Sequence, residues 1–242
     1  MINHCRTLVI LVKYCLKGEL LIMIDMKISK EIKDLCPNAA LGLIQAKVKV
    51  EDSSEALLKE IDDCCSTLQN ELKLEELASQ EAIKDGREAY KSLGKSPSKY
   101  RLSSEALFRR ILQGKGLYRV NNIVDINNLI SIKSKFPVGS YDVSNIKGIV
   151  SLNRADDGAT YKGIGKSDLN IEHLPVLADD DGPFGSPTSD SERAMIGESS
   201  KEIVMCIYSF SGDEGLEEYL SSAKELLEKY ADGSDFETRI IA

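Results

Sequence analysis

Residues 118–132, YRVNNIVDINNLISI, crowd five short polar side chains into a run of branched aliphatics: Asn121, Asn122, Asp125, Asn127 and Asn128. Asn and Asp are poor helix residues because their short side chains compete for nearby backbone groups. Lys, Glu and Gln would serve an ordinary wet helix face better. Amides held close to a core offer donors and acceptors at little entropic cost, which suits a preorganised hydrogen-bonding wall. On a helix, Asn121, Asp125 and Asn128 fall at i, i+4 and i+7, while Asn127 borders the apolar face with Ile123 and Ile130. The same residues would equally serve to cap and brace neighbouring turns. A second polar group lies in GSPTSDSERAMI (185–196), a Gly/Pro/Ser-rich loop carrying Asp190, Ser191 and Arg193 ahead of an apolar run.

Other chemistry is scarce. The only histidines are His4 and His173, so catalysis or metal binding built on several histidines is excluded. His173 falls in a polar loop and reads as a surface residue. GIGKS (163–167) ends like a phosphate loop, but Thr160 stands where its first glycine belongs and no helical pattern follows Ser167. ADDDG (178–182) gathers three carboxylates at a strand end, and a solvated turn accounts for them better than Mg²⁺ does. No metal and no cofactor are expected.

The elements that must position these groups follow from periodicity. LGLIQAKVKV (41–50) alternates as a strand, and Asp52 with Glu55 suggests a capping box before a helix carrying Leu57, Leu58, Ile61 and Leu68. A second helix is expected over 74–92 and a third from Ser103, followed by the asparagine-rich helix. FPVGSYDV reads as a turn, and IKGIVSLNRA, LPVLADDDG and EIVMCIYSF as strands. Leu216, Tyr219, Leu220, Ala223, Leu226, Leu227 and Tyr230 form one helical stripe, a closing helix before a short tail. Strands and helices mix without βαβ regularity, so the expected class is α+β, layered sheets packed with helices. Residues 26–242 are expected to form one domain: an N-terminal portion over 26–100, a core over 101–210 and a closing part over 211–242. MKISKEIKDLCPNAALG from Met26 looks like a protein start, so residues 1–25 are expected to be an upstream extension outside the fold.

The chain carries a net charge of −8, so nothing global attracts nucleic acid, and no DNA partner is expected. Locally the sign reverses. Residues 84–119 contain ten basic side chains, among them Lys95, Lys99, Arg101, Arg109, Arg110, Lys115 and Arg119, against Asp85, Glu88 and Glu105. That segment is +7, leaving −15 on the rest. Such a contrast offers a handle for a phosphate backbone and confines where it docks; a solvated helix face explains part of it as well. The apolar run Leu8–Val12 is too short to span a membrane. Six cysteines lack a CxxC pair or a disulfide framework, which points to reduced thiols in a cytoplasm.

RRILQGKGLYRVNNIVDINNLISIKSKFPVGSYDVSNIKGIVSLNRADDG followed by LADDDGPFGSPTSDSERAMI resembles the tRNA-binding and editing domain of the bacterial phenylalanyl-tRNA synthetase beta subunit, whose pattern runs roughly R-P-I-N-N-V-V-D-V-T-N-Y, H-A-F-D, then a Gly-rich loop. The likeness covers roughly residues 101–210, and no other synthetase domain is resembled. It implies a free-standing editing-type domain that binds the tRNA 3′ end and lacks ligase activity. Editing hydrolyses tyrosine wrongly esterified to the phenylalanine tRNA, since one extra hydroxyl is hard to exclude from an apolar pocket. Carried over by position, Asn128 matches the family's pocket asparagine, Asn127 replaces its threonine, Gly139 stands where its histidine opens H-A-F-D, and Asp190 falls near the glutamate that reads the tyrosyl hydroxyl. On this resemblance Asn127, Asn128 and Asp190 are the candidate catalytic residues. Asn121, Asn122, Asp125, Gly139, Ser191 and Arg193 would contact substrate, and the basic residues from Lys95 to Arg119 would hold RNA. An aminoacyl ester is already activated, so a positioned water and a few donors would suffice for hydrolysis. A non-catalytic tRNA/RNA- or amino-acid-binding module is the alternative, and a small-molecule hydrolase or sensor with no RNA partner the third.

Overall fold

The computed structural model describes residues 23–165 and 167–242. In chain order its elements are β1 (Met26–Ile28), α1 (Lys30–Leu35), β2 (Ala40–Lys47), α2 (Glu55–Glu71), α3 (Glu81–Ser92), α4 (Ser103–Leu112), α5 (Asn122–Ser134) and β3 (Val138–Asp142). Then come β4 (Val150–Arg154), β5 (Thr160–Lys162), β6 (Asp168–Asn170), β7 (Pro175–Asp179), β8 (Gly182–Gly185), β9 (Glu202–Ser209), α6 (Leu216–Tyr230) and β10 (Ser234–Ile241). One four-stranded sheet runs β10-β2-β9-β3, all antiparallel; another runs β1-β4-β7-β8, with only β1 parallel to its neighbour. β5 and β6 form a separate hairpin. The class is α+β, as the mixed pattern predicted.

β9 explains the layering. Its EIVMCIYS is apolar almost throughout because both faces are covered, which is how a doubly buried strand reads. Ile203, Met205 and Ile207 join a core with Ile61 of α2, Phe108 of α4, Ile126 and Ile130 of α5, and Leu220 and Leu227 of α6. Val204, Cys206 and Tyr208 face the other way, packing with Leu41, Leu43, Tyr141, Leu152, Leu177 and Phe184. The molecule is thus a helix layer, a sheet and a second sheet, with successive β9 and β3 residues feeding alternate layers.

Several boundaries differ from expectation for physical reasons. The N-cap of α2 is Ser54, whose hydroxyl accepts from the Leu57 amide at 3.3 Å, in place of Asp52. The helix expected over 74–92 breaks into a 3₁₀ turn (Leu74–Ser79) and α3. FPVGSYDV forms strand β3, because Val138–Asp142 pairs with β9 despite its Pro and Gly. The tail after α6 is strand β10. The fold also begins before Met26: the Ile24 amide donates to Gln45 Oε1 at 2.8 Å, and the Asp25 carbonyl accepts from the Val150 amide at 2.9 Å. The rest of the expected extension, residues 1–22, lies outside the described residues. No helix among the described residues is long and apolar enough to cross a membrane.

Candidate functional site

The opening asparagines divide by what their side chains do. Asn121 is the N-cap of α5, its Oδ1 accepting from the Val124 amide at 2.9 Å. Asn122 is wholly buried: Oδ1 accepts from the Glu51 and Ile123 amides, and Nδ2 donates to the Lys49 and Tyr230 carbonyls at 2.9 and 3.0 Å. It ties the segment before α2 to the end of α6. Asp125, also buried, accepts from the Ser53 hydroxyl at 2.7 Å and the Val120 amide at 3.2 Å, and desolvation holds its pKa above the usual carboxylate range. The side chains of these three brace the fold. Short side chains suit these bonds, which reach adjoining backbone and the Ser53 hydroxyl.

Asn127 and Asn128 differ from one another. Asn127 is buried against the edge of β3, its Nδ2 donating to the Val138 carbonyl at 2.9 Å and its Oδ1 accepting from the Ser140 hydroxyl at 2.9 Å. Asn128 is half-buried, and its amide makes no hydrogen bond among the described residues.

The loop after β8 meets the opposite side of β3. Tyr141, adjacent to Ser140 and therefore on the other face of the strand, donates its hydroxyl to Asp190 Oδ1 at 2.8 Å and lies 2.6 Å from the Tyr208 hydroxyl. The Ser186 amide also donates to Asp190 Oδ1, at 3.0 Å. Two further tyrosines hold the loop: Tyr90 meets the Thr188 hydroxyl at 2.8 Å, and Tyr161 donates to Ser186 Oγ and the Ser189 carbonyl. Asp190 keeps part of its surface, but the packing around its carboxyl is dense enough to push its pKa up to about 6. Burial likewise drives the Tyr141 and Tyr208 phenols well above their ordinary range. Asn127 and Asp190, both candidate catalytic residues on the resemblance, thus lie on opposite faces of the sheet.

Two glycines make room for the Tyr141 hydroxyl. A Cβ on Gly139 would stand 2.2 Å from it, and one on Gly185 2.4 Å. The ring packs edge-on to Phe184, with centroids 5.1 Å apart. Gly139, which the resemblance sets against the histidine of H-A-F-D, has no room for a side chain while the Tyr141 phenol lies there. Sequence reasoning missed Tyr141; the signal was the pairing of two glycines, in VGSYD and PFGSP, with a tyrosine.

The rest of that loop is architectural. Ser191 caps a 3₁₀ turn by accepting from the Arg193 amide, and bridges to Gly163. Arg193 clamps Asp179 through both terminal nitrogens at 3.2 and 2.8 Å and donates to the Asn145 and Gly182 carbonyls. Asp179 is held below the usual carboxylate range, its burial outweighed by Arg193 and backbone donors. It shows that ADDDG is a bonded turn. In GIGKS, residues 163–165 follow β5, and Ser167 precedes strand β6, so no helix follows them.

Of the seven expected RNA contacts, Lys95 is buried and spent: its ammonium donates to Asn170 Oδ1 at 2.8 Å and to the Glu172 carbonyl, and sits 3.9 Å over the Tyr100 ring. Glu105, fully buried, takes up Arg109 and Arg87 at 3.0 Å each, with Arg101 at 3.9 Å. Arg119 pairs with Asp62. Lys99, Arg101 and Lys115 are exposed. Arg110 stacks on the exposed Tyr118, 3.7 Å from its centroid, in a loop whose Gly114 and Gly116 both take positive φ. An aromatic face beside exposed cations is the composition that single-stranded nucleic acid uses. His173 is half-buried, 2.5 Å from Asp157; with Glu172 these donors lie within 4.8 Å of one another, where Lys95 and Arg154 oppose a cation.

A solved N-terminal fragment of the phenylalanyl-tRNA synthetase beta subunit from Pyrococcus horikoshii aligns over 96% of this chain and 53% of that one, at 11% identity and a TM-score of 0.46. The phenylalanine–tRNA ligase beta subunit of Streptomyces avermitilis is 35% identical over 80 residues, 32% of this chain and 9% of that protein. This chain therefore spans a small part of that curated relative. The family model of the B3/4 domain matches residues 85–232. Since that match runs from α3 to the end of α6 and takes in more than half of the chain, the protein belongs to the B3/4 domain family, the family of this domain in phenylalanyl-tRNA synthetase beta subunits.

Proposed function

We propose that the protein is a tRNA-binding B3/4 domain that engages an acceptor end without hydrolysing the ester it carries. One observation carries this reading. Asp190, which the resemblance sets near the carboxylate that reads a tyrosyl hydroxyl, already receives the hydroxyl of the chain's own Tyr141, seated over Gly139 and Gly185. An internal phenol filling the place of a bound one leaves the recognition carboxylate satisfied and the space taken. A site built for a hydroxyl discriminates through such bonds, and here the bond is intramolecular.

RNA contact is assigned to Arg110 near the end of α4 and the loop that follows it through Tyr118, with Lys99 and Arg101. Lys115, Lys99 and Arg101 neutralise phosphates, and the Arg110–Tyr118 stack offers a platform to a base or ribose. The acidic remainder of the surface restricts docking to these basic segments. A cytoplasmic setting belongs to the same proposal.

A second reading, ester hydrolysis at the surface, is favoured by Asn128 alone, the one amide of the opening stretch left without a protein partner. Titration of the protein with charged and uncharged tRNA at several salt concentrations, while following ester decay, separates the two. Salt-sensitive binding with decay at the buffer rate is expected. Accelerated decay abolished by Asn128→Ala would establish the second reading and overturn the first.

A further inference from the structure

β10 is the outer strand of the β10-β2-β9-β3 sheet, and its far edge meets no strand among the described residues. Long exposed edges invite pairing, and proteins blunt them with proline, lysine or covering segments. This strand has neither residue type across Ser234–Ile241. A bulge between Ser234 and Glu237 leaves a regular run over Glu237–Ile241, in register with Gln45–Leu41. Thr238 and Ile240 lie on the α6 side, where they line an open groove of about 470 Å³ with Leu220, Ser221 and Lys224. By strand alternation the Glu237 and Arg239 side chains turn to the other side, although Arg239 also borders the groove. The Glu237 side chain makes no ion pair or hydrogen bond among the described residues, and the Arg239 side chain reaches only Asp25, at 3.9 Å, with both of that pair well exposed.

The charge order points to a second copy of this chain. When two identical strands pair antiparallel about a two-fold axis normal to the sheet, opposed residues share a face, so the axis passes through one residue. An axis at Glu237 opposes two carboxylates, and an axis at Arg239 two guanidiniums; like charges directly opposite are destabilising. An axis at Thr238 sets Glu237 of each copy against Arg239 of the other, and Phe236 against Ile240 beside the groove. Of these three registers, only the one at Thr238 satisfies both faces. We infer that β10 is a self-complementary edge through which two copies of this chain join at Thr238 into one continuous eight-stranded sheet.

Sedimentation of the full chain tests this. The unmodified protein is expected to be a dimer that weakens with salt. Arg239→Glu, which turns two attractive pairs into repulsive ones, should raise the dissociation constant by at least about tenfold. The exchange Glu237→Arg with Arg239→Glu should restore it, which also controls for misfolding. Thr238→Cys should form a disulfide between the two copies of position 238, since directly opposed strand residues lie within bridging distance. A protein that stays monomeric at high concentration, or a dimer indifferent to both the single change and the exchange, overturns the inference.

Discussion

Replacing Asp190 by Asn should change how stability depends on pH, by an amount the structure sets. An ordinary aspartate titrates near 4; in the fold, burial raises Asp190 to about 6, partly opposed by the Ser186 amide and the Tyr141 hydroxyl. The folded protein therefore holds this proton more tightly than the unfolded chain does. Below about pH 4 both states are protonated and the group costs nothing. As pH rises through 6 the fold must ionise a poorly solvated carboxyl, and its contribution is lost. A displacement of about 2 on the pH scale, at about 1.4 kcal/mol each, caps the loss near 3 kcal/mol, and the remaining exposure of Asp190 brings it to roughly 1–3 kcal/mol. Asn keeps an acceptor for both donors and cannot titrate. The groups facing Asp190 are silent in this window, because burial pushes Tyr141, Tyr161, Tyr208 and Cys206 upward. Urea unfolding at pH 4.5 and pH 8 should show Asp190→Asn gaining roughly 1–3 kcal/mol on the unmodified protein as pH rises. Parallel behaviour of the two proteins across that range would refute the placement of Asp190 in a desolvated site.

The same geometry predicts other outcomes. Asn122→Ala should cost about 2–4 kcal/mol in chemical denaturation, because it strands the Glu51 amide and the Lys49 and Tyr230 carbonyls, whereas Asn128→Ala should stay within about 0.5 kcal/mol. Gly139→Ala should lower stability by about 1–3 kcal/mol, read as a drop in Tm, since its methyl would press on the Tyr141 hydroxyl inside a packed cluster. Tyr118→Ala should weaken tRNA binding by about 1–3 kcal/mol without altering its salt dependence, while Lys115→Ala should reduce the slope of log K against log salt by about 1. Equal salt slopes for both variants would remove the division of labour between stacking and phosphate contact.

Much of the layering was legible because burial writes itself into residue type. The unbroken apolar run of β9, the stripe of α6 and the aliphatics of α5 each report how many faces are covered. β3 and β10 were not legible. β3 is a five-residue strand holding Gly139 and preceded by Pro137, and only its pairing with β9 makes it a strand. β10 is exposed on both faces, so no apolar alternation marks it. The polar residues were harder still. Type and spacing picked out Asn122, Asp125 and Asn127, but an amide bonded to backbone 70 residues away looks the same in sequence as one lining a cleft. Charge counting picked out Lys95 with the other cations, although its ammonium is buried against Asn170 and the Glu172 carbonyl. The tyrosine folded over two glycines, on which the proposed function rests, needs β3 and the end of β8 to meet, and neither VGSYD nor PFGSP marks it alone.

A nonhydrolysable tyrosyl ester mimic, tyrosine joined by an amide to 3′-aminoadenosine, addresses the filled pocket most directly. Titrated against the unmodified protein and against Tyr141→Ala by isothermal calorimetry, it should show saturable binding only to the variant, whose vacated space exposes Asp190. Saturable binding to the unmodified protein that is lost in Asp190→Asn would mean that Tyr141 yields its place to a substrate, and would contradict a closed, non-hydrolytic site.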